Sequence, residues 1–331
     1  MKRKESFNNK MKENIVAGVD LGGTKIYTAV ADLKGRILAE IKAPTEAGKG
    51  IDFVLGKIAA TVKQASKEAG LAEIPAHLGI GAPGPLDPQR GFIYQAPNLG
   101  WRDVPLKSLL EEALKVNVTV GNDANLAALG EFCFGDFGGG SNLIYVTVST
   151  GMGCGLILNG ELYQGADYSA GEIGHLTVEP DGILCSCGNR GCLETIASGT
   201  AIARFAKELA QQGKGTDILK AAGGAKEGIT AEVVSRAAAA GDREALEILN
   251  KTGRALGLGL SYIVNLLNPS LVILGGGAMK AGPPLWQAMN FELSRRAIKS
   301  NMDKLRVLPA SLGDRSGLLG AVASAIQASR L

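Results

Sequence analysis

Read by its apolar and polar positions, the chain opens with an apolar run, Ile15 to Asp20, that breaks at Leu21-Gly22-Gly23-Thr24. A second run, Lys25 to Ala31, follows at once, and Asp32-Leu33-Lys34-Gly35 turns the chain into a third, Arg36 to Ile41. Short apolar runs bounded by glycine and aspartate predict a β-meander with a glycine-rich first turn. Over 50–69 the period changes: Ile51, Val54, Leu55, Ile58 and Val62 share one helical face, and Gly70 supplies the stop. Strands are expected at 76–81 and 116–120, flanking a Pro/Gly-rich loop region and a helix near 105–115 with Pro105 in its first turn. The opening pattern then recurs. Asn142 to Val148 reads as a buried strand ending in Ser149-Thr150-Gly151-Met152-Gly153, with a return strand from Cys154 to Leu158. Two strand–glycine turn–strand units suggest a duplicated domain whose turns face each other across a cleft. Helices are expected at 199–212, 230–240 and 242–266. A strand, Leu271 to Leu274, then runs into Gly275-Gly276-Gly277, followed by a helix from about Pro284, a strand at 305–309 and a helix from about Ser316 to 329. Strands alternating with helices indicate an α/β architecture.

With 331 residues the chain is long enough for two domains and a sizeable core. Its net charge of +3 resides in residues 1–14, where five basic side chains meet two acidic ones. That segment is polar and aperiodic and reads as a disordered basic tail. A neutral body with a short basic end is not a nucleic-acid-binding surface. No apolar stretch follows the basic start as a signal peptide would require, and Leu143 to Leu158 is interrupted by Ser149, Thr150, Gly151 and Gly153. A cytoplasmic protein without a membrane span is expected. Of its five cysteines, three crowd into Cys185-x-Cys187-x4-Cys192, which in such a protein points to metal or redox chemistry before disulfides.

The turn Asp20-Leu21-Gly22-Gly23-Thr24-Lys25 suits an anion, because paired glycines let backbone N–H groups approach it and Thr24 and Lys25 add donors. Asp20, at the strand end, could orient a magnesium ion through water. A plain hairpin turn is the competing reading. The second glycine turn and the triple glycine, where backbone could lie flat against a base, favour nucleotide binding. Gly79-Ile-Gly81-Ala-Pro-Gly84 fits the dinucleotide spacing, yet Pro83 and Pro85 stand where a helix should open, so it is set aside. Asn122-Asp123, at a strand end before a helix, reads either as a helix N-cap or as a carboxylate general base. His175, Cys185, Cys187 and Cys192 supply four soft ligands, enough for a closed and therefore structural zinc site, against a buried His with inert thiols or a Cys185–Cys187 redox pair. Glu172 and Glu194 bracket the cluster, either to accept hydrogen bonds from a polyhydroxylated ligand or as solvated charges.

These motifs together resemble the ROK family (repressors, open reading frames, kinases). The resemblance rests on Asp20-Leu-Gly-Gly-Thr-Lys25, Gly121-Asn-Asp-Ala-Asn125, Gly171-Glu-Ile-Gly-His175, Cys185-Ser-Cys-Gly-Asn-Arg-Gly-Cys-Leu-Glu194 and Leu274-Gly-Gly-Gly277. It implies an actin-like ATPase (ribonuclease H-like) fold of two domains with a cleft between them. The expected partition is a smaller domain, 15–121 plus 312–331, and a larger one, 122–311, carrying the zinc loop. The implied reaction is ATP-dependent phosphorylation of a hexose at its 6-hydroxyl, with Mg2+ and a structural Zn2+. Asp123 would be the base; Asn98, Asn122, Glu172, His175 and Glu194 would bind the sugar. Gly22, Gly23, Thr24 and Lys25, with Thr150 and Gly151, would face phosphates, Asp20 the metal, and Gly275, Gly276 and Gly277 the adenosine. His175 would place one ring nitrogen on zinc and the other toward the sugar. The set resembles that of glucokinases, so glucose is the first choice, with N-acetylmannosamine, N-acetylglucosamine, fructose and allose kinases as alternatives and a homodimer or homotetramer expected. One departure is Ser149, where family kinases often have glycine, which predicts an intact but narrower turn. A repressor would carry a DNA-binding domain ahead of Asp20, where only a short segment stands. A non-catalytic sugar sensor is the other alternative.

Overall fold

A computed structural model describes residues 14–330. The basic tail expected over 1–14 thus lies, apart from Asn14, outside the described residues. The elements follow the hydrophobic pattern closely. Strands β1 (Ile15–Leu21), β2 (Lys25–Asp32) and β3 (Ile37–Pro44) form the meander, followed by helix α1 (Ile51–Glu68) and strand β4 (His77–Ala82). Strands β5 (Leu86–Asp87), β6 (Phe92–Ala96) and β7 (Trp101–Val104) precede α2 (Leu106–Leu114), β8 (Asn117–Asn122) and α3 (Asp123–Phe134). The second half contains β9 (Leu143–Val148), β10 (Met152–Leu158), β11 (Glu161–Tyr163), α4 (Gly199–Gln211), α5 (Ala231–Ala239), α6 (Arg243–Leu267) and β12 (Leu271–Gly275). Helix α7 (Pro283–Arg296), β13 (Arg306–Pro309) and α8 (Ser316–Ala328) complete it. Among the described residues no helix is long and apolar enough to cross a membrane.

The first sheet has the order β3-β2-β1-β4-β8. Its meander is antiparallel, with Asp20 opposite Tyr27, while β1–β4 and β4–β8 are parallel. The second sheet repeats this scheme as β11-β10-β9-β12-β13, with β9–β12 and β12–β13 parallel. The duplication seen in the turns therefore extends to whole sheets. Strands β5, β6 and β7 form a small antiparallel sheet where a loop region was expected. They are two to five residues long and punctuated by prolines, too short for a readable period.

The chain divides into two compact units: residues up to Gly139 with Gly155–Ala170 and Ser311 onward, and Gly140–Cys154 with Gly171–Ala310. This differs from the expected boundary at 121/122, because α3 belongs with the first unit. Its Gly130 and Gly320 of α8 bring the helices to backbone contact: a Cβ at 320 would lie 1.6 Å from the Leu126 carbonyl oxygen. In the first unit, Val19, Leu21, Ile26, Ile58, Ile80, Trp101 and Leu110 share one core. Each such side chain contributes roughly 1.5–3 kcal/mol on burial, which fixes the strand ends that carry the polar residues below.

Candidate active site

In the first unit the β1–β2 turn closes with the Gly22 N–H donating to Lys25 O at 2.9 Å. Thr45, missed in the sequence, holds it: its buried hydroxyl donates to Gly22 O at 2.7 Å and its N–H to Thr24 O at 3.0 Å. Gly23 lies against Asn98, since a Cβ there would be 2.9 Å from both Asn98 Cβ and its carbonyl oxygen. One predicted phosphate residue and one predicted sugar residue are thus neighbours, with Thr24 and Asn98 exposed. Lys25 extends over the Tyr27 ring, 5.7 Å from its centre. Asp20 lies beneath the turn, and burial raises its carboxyl above the usual range, partly opposed by Lys25.

Asn122 ends β8 and caps α3. Its Oδ1 accepts from the N–H groups of Ala124 and Asn125 at 3.0 and 3.2 Å, so the cap reading holds for this residue. The cap fixes the amide through Oδ1 and leaves the Nδ2 donor outside it. Asp123 is exposed at the first helical position, and its Oδ1 accepts from the Ala124 N–H at 2.8 Å. The set-aside Gly79-x-Gly81-x-x-Gly84 run leads into β5 and not into a helix.

In the second unit, His175 ends a short 3-10 turn, Ile173–His175, while Cys185, Cys187 and Cys192 lie on a knuckle closed by the bridge Leu184–Arg190. The Cys185 N–H donates to Asn189 O at 2.7 Å. Gly191 is obligatory in this wrap: its φ is +65°, and a Cβ would meet Glu179 O at 1.5 Å. The four donor atoms lie within 4.8 Å of one another, with Cys187 Sγ to Cys192 Sγ and Cys185 Sγ to His175 Nδ1 both 3.6 Å. Tetrahedral zinc with Zn–S of ~2.3 Å requires sulfur–sulfur edges of ~3.8 Å. The donor set fits such an ion and leaves no open position. His175 turns Nδ1 to the cysteines and Nε2 toward Glu172, whose exposed carboxylate is 3.8 Å away.

Glu194, two residues past Cys192, reaches back to the second glycine turn and accepts from the Met152 N–H at 2.6 Å. Gly151 faces the same carboxylate, and a Cβ there would lie 2.5 Å from Glu194 Oε2. The turn is also tied to the start of α4: the Gly199 N–H donates to Ser149 O at 2.7 Å, and the Thr200 hydroxyl to Thr150 O at 2.7 Å. Above it opens a cavity of about 740 Å³ lined by Ser149, Thr150, Thr200, Thr230, Ser235 and Gly277, among others. This size admits a nucleoside. Gly277 faces it, whereas Gly275 and Gly276 do not line it. Their would-be Cβ atoms meet the Tyr145 hydroxyl at 2.4 Å and Val148 O at 2.2 Å, so these two glycines serve packing. Thr200, Thr230 and Ser235 were not singled out in the sequence, because hydroxyls at a helix start (Thr200, Thr230) or bonded back along it (Ser235 to Ala231 O) read as ordinary local hydrogen bonds.

The ROK family profile matches residues 16–328. A glucokinase of Halalkalibacterium halodurans is 39% identical over 313 residues, covering 94% of each chain. A putative xylose repressor of Caldicellulosiruptor is 33% identical, over 94% of this chain and 78% of that one. Among solved structures, a ROK family glucokinase from Streptomyces griseus in complex with glucose and AMPPNP is 37% identical, with a TM-score of 0.82 over 95% of this chain and 99% of that one. Matched along nearly its whole length and carrying two sheets of the same strand order, the chain belongs to the ROK family and has its actin-like, two-domain α/β fold.

Proposed function

We propose that this protein is an ATP-dependent hexose kinase that converts glucose to glucose 6-phosphate. One observation carries the proposal: near-full-length similarity to glucokinases, including one solved with glucose and AMPPNP. Asp123 takes the proton of the 6-hydroxyl as that oxygen bonds to the γ-phosphorus and the bond to the β,γ-bridging oxygen breaks, releasing ADP. Its exposed position at a capped helix start supports this role. Asn98, Asn122, Glu172, His175 and Glu194 hold sugar hydroxyls. The turn Gly22-Gly23-Thr24-Lys25, with Thr150 and Gly151, faces phosphate oxygens, and Gly277 borders the nucleoside. When bound beside Asp20, Mg2+ neutralises charge on the phosphates. Zinc on His175, Cys185, Cys187 and Cys192 orders the sugar-binding loop, as the 3.6 Å donor spacings support.

A coupled ADP-release screen over hexoses and N-acetylhexosamines tests the reading. Glucose is expected to give the highest kcat/KM, and Asp123→Asn to lower kcat by about 10²–10⁴-fold with sugar binding retained. Absence of hexose-dependent ADP release would remove the kinase assignment and favour a sugar-sensing role. Substantial turnover by the Asn variant would remove Asp123 as the base.

A further inference from the structure

Glu131 is the most deeply buried carboxylate of the first unit, with no exposed surface, and the reaction described above does not use it. It lies two turns along α3 from Asp123. Its oxygens accept four hydrogen bonds from the approach to α8: Ser311 N–H at 3.2 Å, Ser311 Oγ at 3.0 Å, Leu312 N–H at 3.1 Å and Ser316 Oγ at 2.7 Å. A fully desolvated carboxylate is costly unless its acceptor sites are filled, and here they are filled by one short segment. The same segment is gripped from its other side. Arg315 donates to Tyr27 Oη at 3.2 Å and to Glu40 Oε1 at 2.8 Å, and Tyr27 donates to Glu40 Oε2 at 2.7 Å. Tyr27 is the cross-strand partner of Asp20. Directly after the gripped residues stands Gly317, where a Cβ would lie 3.1 Å from both Cγ and Oδ1 of Asp20. The first turn of α8 therefore forms one wall against the Asp20 carboxylate.

We infer that Glu131 and Arg315 are positioning residues which clamp the first turn of α8 against Asp20 and so set where that carboxylate meets the magnesium–nucleotide. The inference rests on the proposed role of Asp20. Neither residue touches substrate; each acts through the wall at Gly317. Because Glu131 shares α3 with Asp123, the clamp also ties the helix of the proposed base by hydrogen bonds to the segment that packs, at Gly317, against the proposed metal-orienting aspartate, within one unit.

The test compares Glu131→Gln, Arg315→Lys and Asp20→Asn, alone and combined, by calorimetric binding of AMPPNP across a magnesium titration, with glucose binding and thermal melting alongside. Gln presents an NH2 group to the Ser311 donors, and Lys cannot span Tyr27 and Glu40. Each clamp variant is expected to weaken the magnesium-dependent part of AMPPNP affinity ~10-fold or more and leave glucose affinity within ~2-fold. Added to Asp20→Asn, it should have little further effect, since coupled residues are non-additive. A clamp variant that melts lower yet binds magnesium–AMPPNP as the native chain does would reduce the clamp to a structural feature. If Glu131→Gln does not fold, Arg315→Lys and Ser316→Ala decide by the same criterion. Should Asp20→Asn itself leave the magnesium dependence unchanged, the role of Asp20 fails, and the clamp inference with it. Should Asp20→Asn shift it while the clamp variants do not, the clamp inference alone fails.

Discussion

Removing zinc from the proposed His175-Cys185-Cys187-Cys192 site should raise KM for glucose far more than it lowers kcat. Dialysis against a chelator and Cys187→Ser are the two perturbations; Cys187 is exposed, so its replacement opens no core cavity. The size of the effect follows from the His175 ring. Its side chain is one-third exposed, and its side-chain contacts are Cys185 Sγ on Nδ1 and Glu172 on Nε2. Without metal the Nδ1 anchor is lost, and both His175 and Glu172 must be ordered when sugar binds. Ordering a side chain costs about 0.5–1.5 kcal/mol, so two cost about 1–3 kcal/mol, and glucose KM should rise roughly 5- to 150-fold. The kcat at saturating sugar should hold within ~3-fold, because Asp123 is fixed by its own helix and by the Asn122 cap. Metal content, steady-state ADP release and reconstitution with zinc measure this, with about one zinc per chain expected. A zinc-free protein with native KM and native melting temperature would refute the structural-zinc reasoning. A fall in kcat at unchanged KM would refute the assignment of His175 to sugar binding.

Two further outcomes follow from the geometry. Gly277→Val places bulk in the 740 Å³ cavity with no protein atom within 4 Å of its Cβ. It should raise KM for ATP ~10-fold with little change in melting, whereas Gly276→Ala, with φ +90° and Val148 O at 2.2 Å, should lower the melting temperature. Equal effects in both assays would mean that the cavity is not the nucleoside site. The second outcome is pH-dependent. Hydrogen bonding from Arg315, aided by Tyr27, holds the Glu40 carboxyl below its usual range. Its stabilising contribution is therefore full above the unfolded carboxylate value of about 4.3 and is lost as pH falls through the lower folded value. Arg315→Met should cost about 0.5–1 kcal/mol at pH 7, the range for a partly exposed pair, and progressively less below pH 4. Urea unfolding at pH 7, 5 and 3.5 measures the difference; a cost independent of pH would exclude the ion pair as its source.

The regular elements were legible because the pattern that predicts them is the pattern that buries them. Ile51, Val54, Ile58 and Val62 lie on one face of α1, and the apolar runs of β1, β9 and β12 are interior strands. The small β5–β7 sheet was not legible, since it depends on partners rather than on period. Motif residues were legible singly, and their partners were not. Thr45 holds the first glycine turn from 23 residues away, and Glu131 grips Ser316 across 185. Nothing local distinguishes such a threonine or glutamate from its solvated counterparts. Within the triple glycine, close packing against Tyr145 and Val148 requires glycine at 275 and 276, while Gly277 faces open space, a division that the run of three identical residues does not show.

Glu194 carries the relation between the cysteine loop and the second glycine turn. From sequence it is the residue that ends a cysteine knuckle, and from its proposed role it is a sugar ligand. Its carboxylate nevertheless accepts the Met152 N–H at 2.6 Å, inside the turn whose Thr150 faces the cavity. A carboxylate that receives a backbone N–H from one loop while its own backbone continues from Cys192 holds both loops in one register. Within the second unit, the loop of the proposed zinc ligands and the glycine turn are thus one hydrogen bond apart. The ordering proposed for zinc therefore extends from the proposed sugar ligands His175 and Glu172, through Glu194, to the turn proposed to receive phosphate.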